Sequence, residues 1–240
     1  MVELIISEKP SAAQKIAEAL ADTKPEKHTS EDKVTYYTLK HKNKTIYVVC
    51  AVGHLYTLKE TKKHGWTYPV YDIDWEESHK VRKSSEFTKK YLDKIKEIST
   101  KADKFIVATD LDTEGEVIGL NVVRYACNQK DACRMKFSTL TKEDLIESYE
   151  KLSKHLDWGL ANAGETRHIL DWLWGINTSR ALTLAVKTTG SFKLLSAGRV
   201  QGPALNLIVL REKEIQKFKS DPYWEIELIT PEFSAWHKKD

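Results

Sequence analysis

Short apolar segments that are followed by polar residues and then by a helical pattern constrain the fold of this chain most. Leu4-Ile5-Ile6 runs into the polar stretch 7–11, after which apolar residues recur at helical spacing as far as Leu20. Residues 105–108 run into an acidic stretch and then into a second helical pattern that starts at Val117. Because strands that alternate with helices pack as a largely parallel sheet, this part of the chain predicts an α/β fold with helices on both faces.

The same patterns predict the remaining elements. We expect Pro10 to start the first helix. Proline has no backbone N–H, and in the first turn of a helix this group would have no partner within the helix. We also expect strands at 34–39, 45–52, 135–137 and 222–230, a hairpin turn at 41–44, helices at 87–98 and 145–152 (the second capped by Thr141), and helical runs over 159–217 with breaks at 175–177 and 190–191. Residues 22–33 are predicted as a loop and residues 59–84 as irregular.

Near residue 150 the sequence changes from alternating strand and helix patterns to helical patterns alone, and a strand pattern returns near residue 222. These changes predict three domains. We assign residues 1–150 to an α/β metal-binding and catalytic domain, 151–220 to a mainly helical domain, and 221–240 to the start of a β domain. Residues 1–150 contain 25 basic and 25 acidic side chains, whereas residues 162–219 contain 9 basic and 4 acidic ones. The second segment is therefore compatible with a polyanionic partner, although a solvated lysine-rich surface explains the charge equally well.

Composition excludes several classes of protein. No apolar run approaches the roughly 18 residues of a membrane helix, and the acidic N-terminal segment is not a signal peptide. The three cysteines, Cys50, Cys127 and Cys133, are too few for a disulfide framework and indicate reduced thiols. We therefore expect a cytoplasmic protein with no membrane contact.

Three acidic side chains follow the apolar segment at 105–108. Asp110, Asp112 and Glu114 are spaced by two residues, which in an extended segment places all three on one side. Such carboxylates repel one another unless a hard cation neutralises them, and Mg²⁺ is the ion that also bridges to phosphate. We expect Gly115 to let the backbone turn sharply into the next helix. The alternative is an acidic loop that caps that helix.

Glu8 and Lys9 follow the first predicted strand. If that strand neighbours the one at 105–108, Glu8 lies beside the acidic residues, and their charge raises its pKa. A carboxylic acid of this kind could give a proton to a leaving oxygen, while Lys9 offers positive charge to a phosphate. The alternative is an ordinary pair of surface residues.

Five motifs in order resemble one family. Ile-Ile-Ser-Glu-Lys-Pro-Ser at 5–11, Val-Gly-His-Leu at 52–55 and Thr-Asp-Leu-Asp-Thr-Glu-Gly-Glu at 109–116 resemble the Toprim domain of type IA DNA topoisomerases. Residues 165–175 and the stretch Leu-Ser-Ala-Gly-Arg-Val-Gln-Gly-Pro at 195–203 resemble the helical DNA-binding domain of that family. The resemblance covers essentially the whole chain, and the chain is most similar to archaeal or topoisomerase III-like members. Whether the complete enzyme is a topoisomerase I, a topoisomerase III or a reverse gyrase stays open.

The resemblance implies a role for each matched residue. Glu8 would be the general acid and base and could touch the metal, Lys9 would stabilise the scissile phosphate, and Asp110, Asp112 and Glu114 would hold Mg²⁺. Arg167 and Asp171 would form a nucleotide-binding pair, for which a surface ion pair is the alternative. The remaining implied DNA contacts are His54, His168, Thr183, Ser196, Arg199 and Gln201.

The tyrosine that such enzymes use as nucleophile has no counterpart in these 240 residues. The family carries it in a Tyr-x-Arg context roughly a hundred residues beyond the Ser-Ala-Gly-Arg-Val-Gln stretch, whereas no tyrosine here has Arg two positions later. Tyr68 precedes Pro69 but Val70 stands where the family has arginine, so we reject it. We therefore expect an N-terminal piece, or one half of a split enzyme, that needs a tyrosine-bearing remainder to cleave DNA.

The implied function is relaxation of negatively supercoiled DNA by transient cleavage and rejoining of one strand, with Mg²⁺ and without ATP. The implied partner is DNA, preferably single-stranded, and the implied location is the nucleoid in the cytoplasm. Two alternatives remain: a single-strand DNA-binding module, and a Toprim nuclease or primase-like enzyme that uses metal-activated water.

Overall fold

The largest sheet of the computed structural model, which describes residues 1–62 and 65–237, is mixed and has six strands. Its strands lie in the order β2-β3-β4-β1-β7-β8. The pairings β4–β1, β1–β7 and β7–β8 are parallel, and β3 and β2 extend the sheet as antiparallel strands. The strands are β1 (Val2–Ser7), β2 (Glu26–Thr29), β3 (Thr35–His41), β4 (Lys44–Cys50), β5 (Tyr56–Glu60), β6 (Ile73–Glu77), β7 (Lys104–Ala108), β8 (Cys133–Arg134), β9 (Glu227–Ile229) and β10 (Ser234–Trp236).

Helices cover both faces of this sheet, which confirms the predicted α/β class. One face packs against apolar side chains of α1 and α5, among them Ile16 and Leu145. The opposite face packs against α3 and α4, among them Leu92 and Ile118. The helices are α1 (Pro10–Leu20), α2 (Ser78–Val81), α3 (Thr88–Ser99), α4 (Thr113–Asn121), α5 (Lys142–Glu150), α6 (Trp158–Lys187) and α7 (Gln201–Lys217), with a π-helical turn at Val122–Ala126 after α4.

The central position of β1 explains its apolar sequence. It is hydrogen-bonded on both sides, with Ile6 opposite Val49 of β4 and Val107 of β7. Leu4, Ile5 and Ile6 are therefore fully buried, as expected for a strand that helices cover on both faces.

Two predicted loop regions contain strands. β2 lies within the region predicted as a loop. Its side chains stay largely exposed, its backbone pairs with β3, and the ring of His28 stacks on that of Tyr36 with 4.8 Å between the centroids. β5 and β6 form a separate two-stranded antiparallel sheet, of which β6 and the last two residues of β5 lie within the region predicted as irregular. That region also includes residues 63 and 64, which lie outside the described residues.

One strand boundary and one helix cap also differ from the prediction. The strand expected at 135–137 is instead β8, which pairs with β7 two residues earlier. Thr141 occupies the N-cap position of α5, but its side chain makes no capping hydrogen bond.

The helix α6 runs without interruption through the predicted break at 175–177. Asn177 is compatible with the helix because its side-chain amide bonds to the backbone of Val70, accepting from N at 2.7 Å and donating to O at 2.9 Å. One turn further on, Arg180 makes a two-pronged ion pair with Glu60 of β5 at 3.0 and 3.1 Å. Tertiary contacts thus hold the helix where a local reading ends it. The second predicted break is confirmed, since Gly190 has a φ of 81° beyond the end of α6.

The chain divides into two compact units, Met1–Ser196 and Ala197–Asp240. The first contains the sheet and α1 to α6, and the second contains α7 and the antiparallel pair β9–β10. The domain boundaries at residues 150 and 220 stay predictions, and residues 238–240 of the third predicted domain lie outside the described residues. Of the helices described, none has the length and apolar character needed to cross a bilayer.

Candidate functional site

Glu8, Lys9 and Asp110 meet at the carboxyl edge of the parallel sheet. β1 and β7 are adjacent, with Ser7 paired to Ala108, so the residues that follow the two strands emerge side by side. The Nζ atom of Lys9 lies 2.6 Å from Oδ2 of Asp110 and 4.0 Å from Oε1 of Glu8. The predicted neighbourhood of the two strand ends is confirmed.

The charges at this edge shift the proton affinity of Glu8. Burial raises the pKa of the Glu8 carboxyl above its ordinary value, and the nearby charge of Asp110 raises it further, while Lys9 partly opposes both effects. The hydrogen bond to Asp110 and the charge of that carboxylate raise the pKa of Lys9. Glu8 is therefore suited to hold a proton at higher pH than an ordinary glutamate.

Asp112 caps the helix that follows the acidic stretch. Its Oδ1 accepts a hydrogen bond from the backbone N–H of Gly115 at 2.7 Å. Gly115 does not have a positive φ, so the turn into α4 does not use the left-handed conformation that glycine allows. Glycine is needed because a Cβ there would lie 2.3 Å from the carbonyl oxygen of Asp110.

Glu114 does not share one face of an extended segment with the two aspartates, because it lies in the first turn of α4. Its Oε2 instead meets two imidazoles, at 2.8 Å from Nε2 of His168 and 3.2 Å from Nε2 of His54. Its Oε1 lies 3.5 Å from Nη1 of Arg167. The structure thus separates Glu114 from the aspartates and joins it to three residues that were predicted as DNA contacts.

The pKa values in this cluster shift in a consistent direction. Burial acts to raise the pKa of Glu114, but the hydrogen bond with His168 and the surrounding charges outweigh it, so the pKa is lowered. Burial lowers the pKa of His54, and the neighbouring His168 lowers it further against the opposing effect of Glu114. Both shifts favour a carboxylate beside a neutral His54 imidazole.

Close packing of α6 on α4 places His168 over Glu114. A Cβ at Gly164, one turn before His168, would lie 2.4 Å from Cγ2 of Val117 and 2.6 Å from the carbonyl oxygen of Thr113. The two helix backbones can approach this closely only because residue 164 is glycine. The side chain of His168 then reaches Glu114, the residue after Thr113.

A buried ion pair that sequence reasoning missed supports the acidic edge, which is the end of the sheet that carries Glu8, Asp110 and Asp112. Arg134 of β8 is fully buried, and its Nε lies 2.7 Å from Oε2 of Glu116, which is also fully buried. The other oxygen of Glu116 accepts from the backbone N–H of Asp157 at 2.8 Å. A lone arginine in a two-residue strand carries no sequence signal of this role.

The predicted DNA contacts of the helical part lie in different environments. Arg167 and Asp171 lie one turn apart on α6, with 3.9 Å between Nε and Oδ2, and both are partly exposed. Thr183 is fully buried, and its hydroxyl bonds to the backbone N–H and carbonyl of Leu195 at 3.0 and 3.3 Å. This burial does not support Thr183 as a DNA contact. Ser196 ends the first compact unit, whereas Arg199 and Gln201 belong to the second, where Gln201 begins α7 as predicted.

The donors at the acidic edge fit Mg²⁺, which prefers oxygen ligands and needs only one or two carboxylates together with water and phosphate. Glu8, Asp110 and Asp112 supply such oxygens. Within residues 1–62 and 65–237, the one group of three potential ligands whose donor atoms lie within 4.8 Å of one another is His54, Glu114 and His168. Glu114 therefore has two histidine partners where the sequence predicts two aspartates.

Comparison with known proteins agrees with this architecture. The Toprim domain family matches residues 3–140, which cover the sheet and the acidic edge, and a DNA topoisomerase family matches residues 155–240. The order of these two matches is that of a Toprim domain followed by a topoisomerase domain. The chain belongs to the type IA DNA topoisomerase family, as the five motifs predict.

Three relatives illustrate the similarity. DNA topoisomerase 1 of Methanocaldococcus jannaschii is 48% identical over 243 residues, which span 100% of this chain and 31% of that protein. DNA topoisomerase 1 of Pyrococcus furiosus is 47% identical over 99% of this chain and 23% of its own length. The structure of full-length topoisomerase I from Thermotoga maritima shares the fold with a TM-score of 0.66 at 24% identity, over 97% of this chain and 34% of that one. The chain thus spans about a third or less of these proteins.

Proposed function

We propose that this chain is the part of a type IA DNA topoisomerase that supplies the acid, the lysine and the metal ligands for cleaving and rejoining one DNA strand. The complete enzyme would relax negatively supercoiled DNA without ATP. The observation that carries the proposal is the meeting of Glu8, Lys9 and Asp110 at the ends of two adjacent parallel strands, the edge at which sheets of this class bind ligands.

Each residue at the edge has a role in the proposed reaction. Because its pKa is raised, Glu8 can hold a proton and give it to the oxygen that leaves phosphorus. Lys9 is exposed, so its ammonium group can turn from Asp110 towards a phosphate oxygen and stabilise its charge. The nucleophile would be a tyrosine that lies in the part of the enzyme outside these 240 residues.

The acidic residues would hold the metal ion of the reaction. Glu8, Asp110 and Asp112 would bind Mg²⁺ through carboxylate oxygens, with Glu114 as a further ligand after a change of partners. When bound, Mg²⁺ supplies positive charge that neutralises phosphate oxygens during phosphoryl transfer. The Nζ atom of Lys9, which donates to Oδ2 of Asp110 at 2.6 Å, would share that carboxylate with the ion.

Partly exposed side chains on α6 and the preceding loops would bind DNA beside this edge. Arg167, with Asp171 orienting its guanidinium, and the histidines 54 and 168 are proposed contacts with nucleotides. Ser196, Arg199 and Gln201 are proposed phosphate contacts at the start of α7. The proposed ligand is single-stranded DNA, because a strand held for cleavage must be unpaired. The proposed location is the nucleoid in the cytoplasm, where the DNA lies.

Relaxation of a negatively supercoiled plasmid tests this function. The chain, combined with the tyrosine-bearing remainder of its enzyme, should relax the plasmid with Mg²⁺ and without ATP. Asp112→Asn keeps an oxygen that can cap α4 but removes the charge, so we expect the rate to fall by roughly 10²-fold or more. The matched control is Asp103→Asn at the opposite edge of the same sheet, where the carboxylate bonds to the backbone N–H of Val2 at 2.8 Å.

The result has clear alternatives. Equal relaxation by the two variants would contradict the proposed metal role of Asp112. Mg²⁺-dependent nicking by the 240 residues alone would favour a nuclease, and DNA binding that never leads to relaxation would favour a binding module.

A further inference from the structure

Two imidazoles and a carboxylate converge at one point beside the acidic edge. The Nε2 atoms of His54 and His168 lie 3.2 and 2.8 Å from the same oxygen, Oε2 of Glu114. All three donor atoms lie within 4.8 Å of one another. The residues come from three separate segments, namely the loop after β4, the first turn of α4 and the middle of α6.

The fold holds the backbone at the two histidines in place. The loop that carries His54 is anchored by Ser78, whose hydroxyl donates to the carbonyl of His54 at 2.9 Å and whose N–H donates to that of Leu55 at 2.8 Å. The position of His168 is set by the close contact of α6 with α4 at Gly164. Little reorganisation is therefore needed to bring the three donors onto one ion.

The chemistry of these donors selects the class of ion. Mg²⁺ prefers oxygen ligands alone, whereas two histidines and one carboxylate suit Zn²⁺ and related transition metals, with a fourth position left open to solvent. Solvent reaches the three side chains, which are 28 to 39% exposed. Arg167 approaches the other oxygen of Glu114, Oε1, at 3.5 Å, whereas the two imidazoles share Oε2.

We propose that His54, Glu114 and His168 form a binding site for a Zn²⁺-class divalent cation, which differs from the oxygen ligands proposed for Mg²⁺ in its two imidazoles. The site shares Glu114 with the acidic edge. A transition-metal ion bound there would compete with Mg²⁺ for Glu114. The proposal concerns binding by this chain alone and does not depend on topoisomerase activity.

Cobalt provides a spectroscopic probe of the site. We expect the purified 240-residue chain to bind one Co²⁺ ion with visible d–d bands and without the intense charge-transfer band of a thiolate ligand. Zn²⁺ should displace the Co²⁺, and millimolar Mg²⁺ should not. A thiolate band would overturn the proposal, because it would move the ion to a cysteine.

Matched variants locate the ion. Loss of a partner outside the ligand shell already lowers metal affinity by about 10- to 100-fold, so His54→Gln and His168→Gln should each lower Co²⁺ affinity by at least that factor. The control is His155→Gln, which removes an imidazole that lies 2.8 Å from a carboxylate of Asp131 and should leave the affinity unchanged.

Two further results decide the proposal. Circular dichroism without metal checks that each variant is folded, and His54→Gln in the loop serves if the α6 variant does not fold. Unchanged Co²⁺ affinity in a folded His54→Gln variant, or no Co²⁺ or Zn²⁺ binding by the unmodified chain, would refute the site.

Discussion

The guanidinium of Arg134 donates through Nη2 to the backbone carbonyl oxygen of Asp110 at 2.9 Å. The same group donates through Nη1 to the carbonyl of Met135 at 2.8 Å and pairs with Glu116 through Nε. A buried arginine thus ties β8, the start of α4 and the backbone of the acidic stretch together. The position of Asp110 depends on a residue that faces away from solvent.

We predict that Arg134→Met strongly destabilises the fold. The substitution leaves the carboxylate of Glu116 buried without its cation, which costs about 3–5 kcal/mol. Urea denaturation of the purified chain measures the change in free energy of unfolding. The control is Arg124→Met, which removes a partly exposed pair with Glu165 at 3.0 Å and should cost about 1 kcal/mol or less. Similar costs for the two variants would show that burial of Arg134 is not the cause.

Gly164 gives a second prediction, because α6 and α4 touch at this residue. Gly164→Ala places a methyl group 2.4 Å from Val117, and we expect overpacking to cost about 1–3 kcal/mol. Gly159→Ala in the first turn of the same helix is the control, since the nearest atom to its Cβ is 3.4 Å away and the exchange should stabilise by up to about 1 kcal/mol. Thermal unfolding of both variants measures the change in stability that each substitution causes. A neutral Gly164→Ala would mean that the helices are not held in contact there.

The proton affinity of Glu8 gives a third prediction. Because the charge of Asp110 raises the pKa of Glu8 and that of Lys9 lowers it, Asp110→Asn should lower this pKa and Lys9→Met should raise it. Carbon-13 NMR of the Glu8 carboxyl group during a pH titration, without metal, measures both shifts. Asp103→Asn at the far edge should change nothing. A shift in the same direction for the Asp110 and Lys9 variants would contradict the arrangement of charges.

Stability at acid pH should depend on Glu3 in β1. Burial acts to raise the pKa of this fully buried carboxyl, but hydrogen bonds from Tyr149 and Lys44 and the charge of Lys104 outweigh it, so the pKa is lowered. A carboxyl whose pKa is lower in the folded than in the unfolded state stabilises the fold above its ordinary pKa, roughly pH 4. That stability is lost as the pH falls through the folded value.

The Glu3→Gln variant tests this dependence. Its free energy of unfolding should fall less steeply between neutral and acid pH than that of the unmodified chain, as measured by urea denaturation at several pH values. Glu150→Gln, which removes a carboxylate paired with Lys42 at the surface, should change the slope less because water screens that pair. An unchanged slope for Glu3→Gln would refute the prediction.

The elements that position the acidic edge could be predicted from local patterns. Leu4-Ile5-Ile6 and residues 105–108 are apolar enough to identify two buried strands, and buried strands that alternate with helices predict parallel pairing. That pairing alone brings Glu8 and Asp110 to one edge. The five ordered motifs between residues 5 and 203 then identified the family.

The partners of individual side chains could not be predicted in this way. Glu114 was expected with the aspartates because its spacing fits an extended segment, but Asp112 caps a helix that turns Glu114 towards His54 and His168. The exposed strand β2 and the pairing of Arg134 with Glu116 likewise left no trace in a local pattern.

The amino-acid sequence by itself therefore determined the class of fold and the strand ends that carry Glu8 and Asp110. Only the tertiary structure decided which side chains share a site. The physical reason is that a local pattern records how each segment is buried, whereas contacts between residues far apart along the chain depend on how closely helices such as α4 and α6 pack.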